Sequence, residues 1–137
     1  MVPHPLPEEI DTERLLLRRP VIADAQAIFE AYTHDPQVCR FMIWTPHASE
    51  VVTQEFIASC VEAWKVGVRL AYVITDRASK RAIGMIEARI LGTTVDIGYV
   101  LARSKWGKGL MPEAIHGLTS EVDPISRTPY CSCRRSP

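Results

Sequence analysis

"VDIGYVLARSKWGKGLMPEAI", residues Val95–Ile115, decides how this chain is read. Its first eight residues alternate in the manner of a strand with one buried face. Its end runs into "HGLTSEV" and has the apolar spacing of a helix, roughly Leu110–Glu121. The junction holds Gly107 and Gly109, with Lys105 and Lys108 interleaved and Pro112 following. Glycine accepts positive φ and allows close approach to the backbone. Successive N–H groups in such a turn form a nest suited to anionic oxygens. The helix start adds unsatisfied donors and a favourable dipole. Pro112 costs little there, because its missing N–H would have no intrahelical partner. With Arg103, Lys105 and Lys108 nearby, the junction is a diphosphate-sized anion site at the end of a strand.

Two familiar phosphate loops fail on spacing. A Walker loop needs four residues between its first glycine and Gly-Lys-Ser/Thr, and a dinucleotide fingerprint needs a third glycine where this chain has Pro112. Gly98 lies inside the strand, where a glycine marks a bulge or a close backbone approach. A ligand could extend from the anion site and pair its amides with the strand edge, a small-molecule form of strand addition. A diphosphate followed by an extended arm with two amides describes coenzyme A. On local chemistry alone, a plain tight turn explains the glycines equally well.

Outward from that junction, 137 residues suit one domain with one core. Sixteen basic and sixteen acidic residues balance, which argues against a general nucleic-acid binder. No apolar run reaches membrane-span length, and "MVPHPLPEEI" has neither a basic nor an apolar leader region, so the expected compartment is the cytoplasm without membrane attachment. Cys39, Cys60, Cys131 and Cys133 form no CxxC pair and read as free thiols, with no metal expected.

Residues 1–12 read as an extended proline-rich arm and Arg14–Arg19 as a first strand ended by Pro20. Asp24 is a candidate N-cap for a helix burying Ala25, Ile28, Phe29 and Tyr32. "THDP" ends it, and "QVCRFMIWTPH" is a short helix or a packed loop. Ser49 caps a second helix with Val52, Phe56, Cys60 and Trp64 on one face and Gly67 as its stop. Arg69–Asp76, Ala82–Leu91 and Val95–Ala102 alternate as strands with short connections and predict an antiparallel meander. After Glu121, "VDPISRTPYCSCRRSP" has three prolines, three serines and three arginines and no regular period, which reads as an irregular tail.

The stretch Val95–Ile115 resembles the coenzyme A signature of the GNAT superfamily of N-acetyltransferases, Q/R-x-x-G-x-G/A. Within it, "IGY", "WGKG" and "EA" resemble the RimJ/RimL-like branch, as does "TERLLLRRPVIADAQAIFEAY" at Thr12–Tyr32. The resemblance covers about Ile10–Glu121. It implies an α+β (α/β) fold, a mixed and mainly antiparallel sheet flanked by helices, with residues 1–121 as the N-terminal part of the domain. The leading Gln/Arg position is Ser104, next to Arg103. Residues 122–137 match nothing in the family pattern, which implies that the C-terminal half of the fold, with its usual general-acid tyrosine, is missing.

The resemblance further implies acetyl-CoA as co-substrate. Backbone groups of Val100 and Leu101 would pair with the pantetheine arm. The amides of Lys105, Trp106, Gly107, Lys108, Gly109, Leu110 and Met111 would bind the pyrophosphate. Asp96 and Glu87 are candidate bases, against the plain alternative of solvent-facing strand carboxylates. Phe41, Met42 and Trp44 are candidate acceptor-site residues, or core packing. Tyr99 and Trp106 read as packing residues, and His47 as a helix flank. The implied function is acetyl transfer to a primary amine, of a protein N-terminus or a small molecule. The competing readings are a non-catalytic coenzyme A-binding fragment or defective truncated gene product, and an interaction module using an open sheet edge, with homodimerisation as one consequence.

Overall fold

A computed structural model describes residues 6–39, 46–67, 69–91 and 94–122. Five antiparallel strands lie in sequence order across one sheet: β1 (Glu9–Asp11), β2 (Leu15–Arg18), β3 (Arg69–Asp76), β4 (Ala82–Leu91) and β5 (Thr94–Leu101). Helix α1 (Asp24–Ile28) continues as a π-helical turn, Phe29–Thr33. Then come the single turn α2 (Pro36–Cys39), α3 (Glu50–Val66), a 3₁₀ turn (Arg103–Lys105) and α4 (Leu110–Val122). The expected antiparallel meander is present, and among the described residues β5 forms one edge of the sheet. None of the described helices is long and apolar enough to cross a membrane.

Alternation along each strand divides the core between the two faces of the sheet. Leu70, Tyr72 and Ile74 of β3, with Ile86 and Ala88 of β4 and Val95 and Ile97 of β5, face α4 and the N-terminal arm. Ala71, Val73, Met85 and Val100 face α1 and α3. On α4, Leu110, Met111, Ala114 and Leu118 are buried at i, i+1, i+4 and i+8, a stripe that pins the helix to the sheet. Each such leucine or methionine contributes roughly 1.5–3 kcal/mol relative to exposure. That burial holds the glycine junction at the end of β5.

Several local expectations are corrected. The N-terminal arm is not merely extended: Glu9–Asp11 pairs with Leu16–Arg18 as an extra edge strand, and Leu6 and Ile10 enter the core. Asp24 is the first helical residue rather than the cap, which is Ala23. Its carboxylate accepts the Val21 N–H at 2.8 Å and both Arg18 terminal nitrogens at 2.9 and 2.6 Å. The pair is part-buried, and the Asp24 hydrogen bond leads the influences that raise the Arg18 pKa, with burial opposing it. Ser49 has the extended backbone of an N-cap but makes no side-chain capping bond. The buried face of α3 is Thr53, Ile57, Cys60 and Trp64, one position off the expected stripe at its start; Val52 is exposed. Gly67 ends α3 at φ 84°, as expected. The register between β3 and β4 shifts where Ile74 pairs with Gly84 and Thr75 with Ala82, which leaves Ile83 of β4 as the extra residue; Gly98 pairs in unbroken register with Glu87.

Trp64 closes the far end of α3. It is fully buried, meets Tyr72 edge to face at 5.2 Å and lies beneath the Arg19 guanidinium. Its indole N–H donates to the Ala71 carbonyl at 2.7 Å. Trp64→Phe keeps an aromatic ring but leaves that acceptor unpaired, so we expect destabilisation of about 1–3 kcal/mol. The shift in the urea midpoint at unchanged slope measures it, and an unchanged midpoint would contradict the assignment.

Candidate coenzyme site

The junction after β5 is a backbone construction. Gly107 and Gly109 both adopt φ +75°, as their placement predicts, and no peptide bond in the described chain is cis. A Cβ on Gly107 would meet nothing within 4 Å, so the backbone there is open to an incoming group. Leu110 and Met111 bury their side chains in the α4 core, leaving only their main chain for a ligand. The cations divide unevenly. Arg103 pairs with Asp35 at 3.3 Å and Lys105 with Asp76 at 3.7 Å, so both are drawn toward other elements. Lys108 is exposed beside the glycines. The structure thus assigns less free charge to the loop than the sequence suggests, and more of the site's character to its N–H groups.

The strand end carries its own features. The Leu101 carbonyl accepts the Trp106 indole N–H at 2.9 Å, so Trp106 folds back over the strand as a packing residue and occupies one acceptor assigned to the coenzyme arm. Ala102 N–H donates to the Ile83 carbonyl at 2.8 Å. A Cβ on Gly84 would fall 2.3 Å from the Val100 carbonyl oxygen, so only glycine lets β5 lie this close to β4. The outer edge of β5 has no strand beside it among the described residues.

The candidate bases lie on the α3 face of the sheet. Glu87 pairs with Arg69 through one oxygen, while its other oxygen is 3.6 Å from Arg89. Asp96 pairs with Arg89 through Oδ2 at 2.7 Å; its Oδ1 is buried with no hydrogen-bond partner among the described residues. Gly98 serves this cluster: a Cβ there would meet the Arg89 guanidinium at 3.3 Å. The glycine read as a ligand approach is a seat for Arg89. Tyr99 packs partly buried against the α4 core, as expected of it. Beneath α3, burial pushes the Cys60 thiol up to about 11, so it stays protonated at neutral pH. His47 contacts Thr53 at 2.7 Å at the start of α3, consistent with a flanking role, and burial lowers its pKa. Phe41, Met42 and Trp44 lie outside the described residues.

The contacts that sequence reasoning missed are those behind the loop. Glu113, in the first turn of α4, accepts the Thr12 hydroxyl at 2.5 Å and the Arg14 N–H at 2.8 Å on Oε2, and Arg14 Nε at 2.7 Å on Oε1. Burial pushes its pKa up, but the Thr12 and Arg14 bonds and the Arg14 charge outweigh that and hold it below its ordinary value. Arg14 also donates to the carbonyls of Lys108 at 3.0 Å and Gly109 at 3.2 Å. "TER" and "PEA", the flanks of the two family-like stretches, are therefore a single contact. Their shared chemistry, a carboxylate facing an arginine and a hydroxyl, was the available signal.

Comparison with known proteins bears on this geometry. Residues 14–131 match the acetyltransferase (GNAT) domain family, ten residues beyond Glu121. "Uncharacterized N-acetyltransferase p20" of Bacillus licheniformis is 29% identical over 114 residues, 81% of this chain and 64% of that protein. The GNAT-family acetyltransferase of Bacillus anthracis has a similar fold, with TM-score 0.73 at 23% identity, over 85% of this chain and 66% of that one. So does RimL, a ribosomal L7/L12 α-N-protein acetyltransferase in complex with coenzyme A, with TM-score 0.73 at 19% identity, over 84% and 67%. The chain spans about two thirds of the length of these relatives. With a matching family domain over most of its length and the corresponding sheet, loop and helix, the chain belongs to the GNAT acetyltransferase family.

Proposed function

We propose that the junction of β5 and α4 binds acetyl-CoA and that the whole protein transfers its acetyl group to a primary amine. The observation that carries this reading is the pair of positive-φ glycines between an edge strand and a helix start. The amides of residues 105–111 receive the diphosphate, and the outer edge of β5 near Val100 receives the pantetheine amides. With the Leu101 carbonyl held by Trp106, the arm's pairing falls on the other main-chain groups of that edge.

The coenzyme supplies an activated thioester. The amine nitrogen adds to its carbonyl carbon, the C–N bond forms, the C–S bond breaks, and the amine's proton goes to a base while the thiolate takes up a proton. Holding the two reactants together accounts for a large part of any acceleration. A strand-edge N–H near Val100 is a suitable donor to the developing oxyanion. Of the two carboxylates, Asp96 suits the base role better, because its Oδ1 is uncommitted among the described residues while both Glu87 oxygens face arginines. Glu87 then serves to hold Arg69 and Arg89. Protein N-termini and small-molecule amines both fit this chemistry, and Phe41, Met42 and Trp44 remain the proposed acceptor contacts.

Gly109→Asp places a negative charge and a side chain at φ +75° in the proposed diphosphate cradle. It should abolish coenzyme A binding in titration calorimetry, whereas Lys108→Ala, which removes one exposed and screened charge, should weaken it only a few-fold. Unchanged affinity in Gly109→Asp would overturn the site. Asp96→Asn should leave coenzyme A affinity in place and lower acetyl transfer by about a hundredfold or more, the usual worth of a positioned base. Thiol release from acetyl-CoA in the presence of an amine panel measures it; equal and measurable rates in Asp96→Asn and the unaltered protein would remove Asp96 from the mechanism.

A further inference from the structure

We propose that Arg14 is a positioning residue for the diphosphate, holding the loop amides in their binding orientation from behind; this rests on the coenzyme reading above. In a trans peptide the carbonyl and the N–H of one unit point in opposite directions. Arg14 Nη1 takes the Lys108 carbonyl and Nη2 takes the Gly109 carbonyl. The N–H groups sharing those two peptide planes belong to Gly109 and Leu110. Both must therefore point away from the guanidinium, toward the open side of the loop. One planar, rigid cation thus orients the Gly109 donor and, together with the Glu113 N–H that reaches the Gly109 carbonyl at 3.4 Å, the Leu110 donor of the nest.

The guanidinium is itself fixed. Its Nε is bound to Glu113 Oε1, and the other Glu113 oxygen is held by the Thr12 hydroxyl and the Arg14 N–H. A carboxylate in the first turn of α4 would otherwise compete with a phosphate for the same helix-start donors. Facing it toward Thr12 and Arg14 keeps it behind the loop. Gly117, one turn further along α4, lets the parts meet: a Cβ there would come within 2.8 Å of the Thr12 methyl carbon. The clamp is thus four residues from two regions about a hundred positions apart, and none of them needs to touch the coenzyme.

The test compares the chain with Arg14→Ala, Arg14→Lys and Gly117→Ala by calorimetric titration with coenzyme A. Pantetheine, which lacks the diphosphate, is titrated in parallel by NMR. Arg14→Ala should raise the coenzyme A dissociation constant about tenfold or more, the scale of losing charge-assisted bonds. Arg14→Lys keeps the charge but cannot grip two carbonyls and the carboxylate together, so it should lose nearly as much. Gly117→Ala touches no charge and removes a helix-weakening glycine. It should still lower coenzyme A affinity by displacing Thr12. Pantetheine binding should change in none of them. Full coenzyme A affinity in Arg14→Lys would mean that Arg14 acts by charge alone and would overturn the inference, as would equal losses for coenzyme A and pantetheine. Absence of coenzyme A binding by the unaltered chain would instead overturn the coenzyme reading itself, and this inference with it.

Discussion

The carboxylate of Glu113, gripped by Thr12 and Arg14, joins the turn between the first two strands to the first turn of the last described helix. It is the contact through which the glycine loop acquires a fixed orientation. The loop's ends are anchored by the Trp106 indole on the Leu101 carbonyl and by the buried Leu110 and Met111, but between them stand two glycines at positive φ, and the flanking cations are turned toward Asp35 and Asp76. A segment ordered in advance does not have to give up that conformational entropy when it meets a partner. Here that ordering is achieved by a side-chain network on the rear of the loop, leaving the front to the backbone.

The same division of labour extends through the sheet. One face carries the apolar stripe that seats α4, and so fixes where the loop begins. The other carries Arg69, Glu87, Arg89 and Asp96, charges that alternate across adjacent strands and pair in a partly buried setting, with Arg89 Nε lacking a hydrogen bond among the described residues. Cross-strand pairing of this kind is energetically modest. Its consequence is geometric, since it leaves a single carboxylate oxygen uncommitted in the cluster. Gly84 and Gly98 are the spacing elements of this arrangement. One allows close approach of β5 to β4, and the other allows Arg89 to lie across the strand.

The Arg18–Asp24 pair plays for α1 the part that Glu113 plays for α4. In each case an arginine, Arg18 of β2 or Arg14 of the turn before it, holds an acidic residue in the first turn of a helix. Both helix starts gain from the negative charge there. Both acids spend that charge on the sheet rather than on the solvent side of the helix. The short N-terminal strands, weak on their own, thereby become the hub from which the two helix-bearing faces are positioned.

The central strands, the long helix and its Gly67 stop, and the glycine junction were legible in the sequence because each is encoded locally. Period-two alternation, a 3.6-residue stripe and positive-φ glycines report on neighbours within a few positions. The family was legible because its motifs are also local strings. The arm's role as an edge strand was not, since Glu9–Asp11 has no pattern of its own and exists only by pairing with β2. The function of Gly98 was misread for a similar reason: an open position on a strand does not say whether a ligand or an arginine from the next strand fills it. Nor could spacing show that Arg103 and Lys105 face acidic residues elsewhere while Arg14 stands behind the loop. Those are long-range charge pairings, decided by which strands and helices come together, and only the tertiary structure brings Thr12, Arg14, Glu113 and Gly117 to one place.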